Sequence, residues 1–572
     1  MPCWDDCCVD ESPEINLSGE KMADDRCSKD DKMMEHRDDG ECQCDGLRAM
    51  RSVESFEMFS EDIDCSHREE DSFRRNRSPI PSDMSEKVRT TDLEMLRGIT
   101  MRQSLRGFGS LWHKNPKELD VQHRAALFNK SWPVEHVDIF ISHTWSCKGW
   151  SKVLSLLMQS GCDLALVCWF LGMLMAFLLW LTDVLPMPLR YLAQTTTFTA
   201  SCPMGVWIVV FGLLGTIMGL LLSPYRPGDQ GDVCFIDVAC IHQTDVELMH
   251  RGIRSIGGFL LAARELRILW SSTYLTRLWC VFELATYKRL NPHGKIVLAP
   301  LFLEKIVGLF YLGNVCAAFF YLLLRGSGAG AHIVLPGIVL CCLPYILTIH
   351  NLRGYYVQKH QLVSQFQYFD LESVECAEEN DRLFVNTAIA ELYGSNEALT
   401  SFVRGPLLRE LLDPLCRTAI PQKYILFIIT PMTSLVLEFL LSLWTAGAPL
   451  DVLLLYFFSV GVVGICANWQ VLVYLVNLLC DHLAEPVSKR TPAFDYLQTL
   501  LVFLMFLFYF LFGSLSCLWP YETNSWPRFF GLLAVHTLML ILMHWLQRRS
   551  VSYQLKLSEA SVQEVPAQVG IS

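Results

Sequence analysis

Eight apolar stretches, at residues 163–181, 205–222, 305–324, 332–349, 424–444, 450–479, 496–518 and 529–546, set the terms on which this chain can fold. A helix crossing the hydrocarbon of a bilayer needs about 20 predominantly apolar residues. Each stretch approaches or exceeds that length, and short connections join them in pairs, apart from the longer piece 182–204. They therefore read as four hairpins, and the lipid bilayer is the first partner implied. Composition agrees: only 19% of the 572 residues are charged, against about a quarter in soluble domains. A net charge of −12 speaks against nucleic acid, whose phosphates call for a basic surface.

Basic residues near the span ends orient the bundle. Arg226, Lys288, Arg289, Lys295, Arg353, Lys359, Lys423, Lys489, Arg490, Arg548 and Arg549 fall on one side, and only Arg190, Arg325 and Arg528 on the other. The basic side is expected to face the cytoplasm, and an even number of spans then puts both termini there. Residues 1–97, rich in Asp, Glu, Lys, Arg and Ser, read as a disordered acidic cytosolic tail, and residues 547–572 as a second tail. The opening MPCWDDCCVDESPE lacks the basic start and apolar run of a signal peptide. Cys3, Cys7, Cys8, Cys27, Cys42, Cys44 and Cys65 are irregularly spaced. They read as free cytosolic thiols rather than zinc ligands, and no metal is expected.

The polar segments carry a second pattern. VDIFIS from Val137, VCFIDVAC from Val233, LRILWSS from Leu266 and KIVLAPLF from Lys295 are short, nearly continuous apolar runs. Runs of that kind suit parallel strands covered on both faces. Candidate helices at 148–159, 246–263 and 278–290 alternate with them, which is the order of a doubly wound α/β fold. Ligands of such folds sit beyond the carboxyl ends of the strands, where Ser142, His143, Asp237 and Ser271 would gather. The first membrane hairpin falls inside this domain, between its first helix and second strand. Geometry permits this, because a hairpin leaves and re-enters on one side and its helices pack about 8–10 Å apart. The expected organisation is thus a parallel, flavodoxin-like cytosolic domain in two parts, 130–162 and 225–302. Membrane hairpins at 163–222, 303–349, 424–480 and 496–546 complete an α-helical bundle of about eight spans. A cytosolic segment at 350–423 contains a helix stopped by Gly394, which either completes the sheet domain or forms a separate unit.

Three pieces in this order resemble the TIR family: VDIFISHTW, FIDVACIHQ from Phe235, and SSTYLTRLWCVFEL from Ser271. The resemblance covers about a quarter of the chain. It implies a TIR-like fold that signals by self-association, making a homo-oligomer a candidate partner, or that cleaves NAD at the nicotinamide ribosyl bond. NAD is then a candidate substrate, and no resident cofactor is implied. In NAD-cleaving members the glutamate of W-C-x-x-E is catalytic, which is Glu283 here. A fixed carboxylate stabilises the positive charge that builds on the ribose as nicotinamide leaves. Around it, Ser142, His143, Trp145, Asp237 and Trp279 are candidate binding residues. The segment ACIHQTDVELMH departs from the family by lacking a glycine-bearing loop, and a hairpin inside the domain is also unusual. Each residue has a structural alternative: Glu283 solvated or paired with Arg277 or Lys288, His143 bonded to a loop, Trp279 and Cys280 in the core, Asp237 capping a turn.

Polar groups inside the spans are costly. Glu438 and His536 lie at similar depth and are expected to pair, with Tyr456 nearby. The pair is either a proton or ligand site or a buried interhelical bond. Gly212, Gly215 and Gly219 share one face of the second span and imply close packing within the first hairpin. Two further functions fit the sequence: a non-catalytic receptor or scaffold assembling through the TIR-like domain, and a transporter or channel. Few charges in the spans and no evident internal repeat weaken the last. P-loop, G-x-S-x-G, HExxH and kinase motifs are absent from the sequence.

Overall fold

The computed structural model describes residues 95–564, apart from 114–118, 228–230, 329–330, 377–378, 412–419 and 487–491. The tail cysteines and residues 1–94 lie outside the described residues. The last three positions assigned to the tail do not belong to it: Leu96 is fully buried and Arg97 opens the first strand.

Four strands carry the parallel core of a six-stranded sheet. In chain order the strands are β1 (Arg97–Thr100), β2 (Trp132–Pro133), β3 (Val137–His143), β6 (Val233–Phe235), β7 (Ala263–Trp270) and β8 (Lys295–Pro300); β4 and β5 form a separate hairpin described below. The spatial order is β2-β1-β6-β3-β7-β8. Ile139 of β3 sits beside Cys234 on one side and Glu265 on the other, both pairings parallel. Leu266 then pairs Ile296 of β8, also in parallel. The order β6-β3-β7-β8 is that of a flavodoxin-type sheet, with its switch point between β3 and β7. The sheet is mixed, because β1 runs antiparallel to β6 and β2 antiparallel to β1. Only Asp138 of β3 escapes burial, as expected for a strand covered on both faces.

The expected second strand is shorter than VCFIDVAC. It ends at Phe235, and Asp237–Cys240 turns into a short helix. Asp237 therefore sits beyond the strand at that helix's first position, and its Oδ1 accepts from the Val238 amide at 2.7 Å. The expected helix at 246–263 is broken at Ser255 into Val246–Arg254 and Ile256–Leu261. Leu278–Leu290 is helical as expected. The segment after the second pair of spans belongs to the sheet domain. Its helix Glu379–Tyr393 lies against Leu278–Leu290, where the Tyr393 hydroxyl donates to Ala285 O at 2.8 Å. Val385, Ile389, Leu399 and Phe402 join the same hydrophobic core as Phe140 and Leu266.

Among the described residues, eight helices are long and apolar enough to cross a membrane, the architecture of a multi-pass membrane protein. They are Gly149–Leu181, Trp207–Tyr225, Leu303–Gly326, Pro336–Gln367, Gln422–Thr445, Leu450–His482, Ala493–Glu522 and Trp526–Leu546. The fifth is the hub: 78% of its most apolar window is buried, against 17% for the first and 11% for the eighth. The first is one unbroken helix of 33 residues, so the expected cytosolic helix at 148–159 and the expected span at 163–181 are a single element. Gly161 allows this close passage, since a Cβ there would come within 2.6 Å of Ser223 Oγ at the foot of the second span. Further along the pair, a Cβ on Gly215 would meet Cys168 O at 2.2 Å and one on Gly172 would meet Phe211 O at 2.3 Å. The first hairpin is therefore packed backbone against backbone.

The piece between these two spans forms the antiparallel hairpin β4 (Leu189–Gln194) and β5 (Thr199–Met204). It closes the end of the bundle opposite the sheet. Tyr191, Ala193, Cys202 and Met204 are buried in the bundle core, and Thr196 N donates to Glu522 O at 2.9 Å.

The expected Glu438–His536 pair does not form. Glu438 Oε2 accepts from the Ile208 amide at 2.7 Å, capping the second span, and His536 Nδ1 lies 3.0 Å from Leu532 O in its own helix. The free amides at a helix start outbid a distant imidazole for a buried carboxyl. Tyr456 packs edge-on against Tyr521.

Candidate functional site

Two short chains of contacts meet at the carboxyl ends of β3 and β7, at the switch point. In the first, Ser142 near the end of β3 donates from Oγ to Glu283 Oε2 at 2.5 Å. The Ser142 hydroxyl also lies 2.6 Å from the Tyr274 hydroxyl, which donates to Cys280 O at 3.3 Å. Tyr274 comes from the turn after β7, and Glu283 from the second turn of Leu278–Leu290. Burial pushes the Glu283 carboxyl up to about 8, opposed by the Ser142 hydrogen bond and reinforced by the nearby charge of Asp237. At neutral pH the proton therefore sits on the carboxyl. Protonation reverses the bond that Ser142 donates to the ionised carboxylate, so that donors run one way, from Glu283 to Ser142, from Ser142 to Tyr274, and from Tyr274 to the Cys280 carbonyl. Burial likewise pushes the Tyr274 hydroxyl and the Cys280 thiol well above their ordinary ranges.

The second chain joins His143, Trp145, Asp237 and Lys152. Trp145 Nε1 donates to Asp237 Oδ2 at 2.8 Å, and His143 Nε2 stands 3.9 Å from Asp237 Oδ1. The His143 ring meets Trp145 edge-on at 4.7 Å and Trp112 edge-on at 5.3 Å. Burial, followed by the charge of Lys152, holds the imidazole down at about 4, so it is neutral. Lys152 is fully buried with its ammonium 4.4 Å from the centre of the Trp145 ring. The two chains touch where Cys280 Sγ donates to His143 O at 3.6 Å.

The structure thus brings Ser142 and Glu283 together, and His143, Trp145 and Asp237 together beside them. Trp279 is engaged elsewhere: its Nε1 donates to Asp381 Oδ2 at 3.1 Å, and its ring packs on Phe282 and Phe384. Ser271 makes only a local contact, 3.3 Å from Thr273 Oγ1. Neither expected cation pairs with Glu283, since Arg277 pairs with Glu375 and Lys288 with Glu410. Tyr274 and Lys152 were not singled out by the sequence. Tyr274 looks like an ordinary core aromatic. Lys152 looks like a solvated residue on the helix after β3, although a lysine directly before Val153 and Leu154 was a signal. Among the described residues, no group of His, Cys, Asp and Glu is arranged to hold a metal ion.

No family model, no curated protein and no solved structure matches this chain. Its site is therefore read from its own geometry.

Proposed function

We propose that this is a membrane-integral signalling protein with a TIR-like domain that binds NAD at the strand ends and hydrolyses its nicotinamide ribosyl bond, using Glu283. The observation that carries the proposal is the Ser142–Glu283 hydrogen bond at the β3/β7 switch point, where open α/β sheets receive their ligands. A carboxyl held there by a strand-end hydroxyl would face the ribose of a bound NAD. In its ionised form it would stabilise the cationic ribosyl group as the C–N bond breaks. Nicotinamide leaves as a neutral ring with the bonding pair, and water adds to the ribosyl carbon to give ADP-ribose and a proton. The basic side of the bundle, with the sheet domain and both tails, is assigned to the cytoplasm on the distribution of Lys and Arg.

A second reading has its own support. A carboxyl raised to about 8 is neutral at pH 7 and serves as a hydrogen-bond donor tying a strand to a helix. In that reading the domain is a non-catalytic scaffold that assembles with further copies.

The experiment is nicotinamide release from NAD by the purified full-length protein in detergent, with and without induced clustering. The catalytic reading expects release to rise about fivefold from pH 7 to 8 as Glu283 ionises. It also expects Glu283→Gln to lower the rate by roughly a hundredfold or more. Equal release by both proteins removes Glu283 from the chemistry, and no release under any condition favours the scaffold.

A further inference from the structure

A cavity lies within the membrane bundle, where the first, second, third and fifth spans meet. Pro431 of the fifth span lines it, and its missing N–H leaves the Phe427 carbonyl without a helical partner. Thr430 Oγ1 takes that place at 2.8 Å. On the second span, Thr216 Oγ1 donates to Gly212 O at 2.9 Å. Both threonines thus spend their hydrogens on their own helices and keep their oxygens as acceptors along the cavity wall. Tyr311 of the third span brings a buried hydroxyl close to both threonines. Its hydrogen can go to either threonine oxygen, which leaves the Tyr311 oxygen as an acceptor. Ser434, one turn beyond Thr430, accepts from Trp169 Nε1 at 2.9 Å and gives its own hydrogen to Met173 Sδ at 3.5 Å. A thioether is a weak acceptor that an oxygen can replace.

The wall therefore offers one acceptor and one transferable donor, and no lining residue carries a charge. The enclosed space is about 10 Å³, roughly what a single water or hydroxyl group needs. It is not closed on every side. Trp169, Leu213 and Phe319 on its wall are half-buried, and Leu214, Ile217, Leu312 and Phe320 beside them are exposed. In a bilayer that side of the bundle meets hydrocarbon.

We infer that this cavity binds a lipid-phase alcohol, a molecule with one hydroxyl on an uncharged apolar body. The hydroxyl enters the enclosed space, donating to Tyr311 and accepting from Ser434. The body lies against Trp169 and Phe319, where the cavity opens toward lipid. A charged head would be desolvated there with no countercharge, and a larger polar head exceeds the space. The bound molecule touches the first and second spans, the pair that separates β3 from β6. The site is independent of the NAD reading.

The test is photolabelling of the full-length protein in phosphatidylcholine vesicles, with octanol carrying a diazirine at carbon 3 as probe and adducts located by mass spectrometry. Adducts are expected to concentrate on residues 311–319 and on Trp169, to saturate, and to be displaced by excess octanol but not by octane. Tyr311→Phe and Ser434→Ala keep most of the packing and each remove one partner of the hydroxyl. Each should raise the concentration for half-saturation roughly tenfold. Half-saturation unchanged in both variants overturns the proposal. So does displacement by octane equal to that by octanol, or labelling of lipid-facing Leu171 and Leu538 as dense as that of the cavity. The comparison of octanol with octane uses the wild type and decides the matter if neither variant folds.

Discussion

Glu283 makes the site sensitive to pH in a direction that can be worked out. Unfolded, its carboxyl titrates near 4.5; folded, near 8, chiefly because of burial. Between those values the folded chain keeps a proton that the unfolded chain has released. Its contribution to stability is therefore lost as pH rises from about 4.5 to 8, and levels off above. Glu283→Gln keeps a donor toward Ser142 without titrating. The unfolding midpoint of the wild type, relative to this variant, is expected to fall across that window; a constant difference would refute a burial-raised carboxyl. His143 acts in the opposite sense. Its ring stays neutral down to about 4 when folded, so acid removes stability as the unfolded ring takes a proton below about 6.5.

Among the elements, the first hairpin has the least slack. A side chain on Gly215 cannot be accommodated by a rotamer change, because what it would strike is the backbone of Cys168. Gly215→Leu is expected to destabilise the protein by about 1–3 kcal/mol and to lower its thermal midpoint, whereas Gly354→Ala, which meets nothing within 4 Å, should be close to neutral. A midpoint for Gly215→Leu equal to that of the wild type would contradict the backbone-to-backbone packing. Which elements could be read in the sequence follows from how they are buried. The spans and β3, β7 and β8 announce themselves as continuous apolar runs. The strands β1 and β2 have four and two residues, too few for any period to appear. The β4–β5 hairpin was hidden because RYLAQTTTFTASCPM mixes polar and apolar residues between two spans. At the site, Ser142 and Glu283 were legible as motif residues. Their link through Tyr274 was not, because an aromatic side chain gives no sign of where its hydroxyl will point.

At the scale of the whole molecule, the proposed membrane placement puts the six-stranded sheet on one side of the bilayer and the β4–β5 hairpin on the other. Single cysteines placed at exposed Arg190-side positions such as Leu192 should react with an impermeant thiol reagent in sealed cells, in a background cleared of reactive native thiols. Cysteines at exposed Phe108 and Val246 should react only after permeabilisation. The reverse pattern would invert the topology, and reaction of all three in sealed cells would remove the hairpin from the opposite face.

The insertion of the first hairpin between β3 and β6 also fixes an order of assembly. On the growing chain β3 is complete by His143, but its two neighbours in the sheet are β6 and β7, which follow only after both helices of the hairpin have been made. Synthesis runs at about 5–20 residues per second, so the central strand waits several seconds without a partner. Insertion of the hairpin into the membrane during that wait would bring its foot together before β6 and β7 arrive to pair with β3. Failure of insertion would leave an apolar strand exposed on both faces, a substrate for chaperones and for aggregation. The bilayer would then take part in folding the sheet domain as well as anchor it.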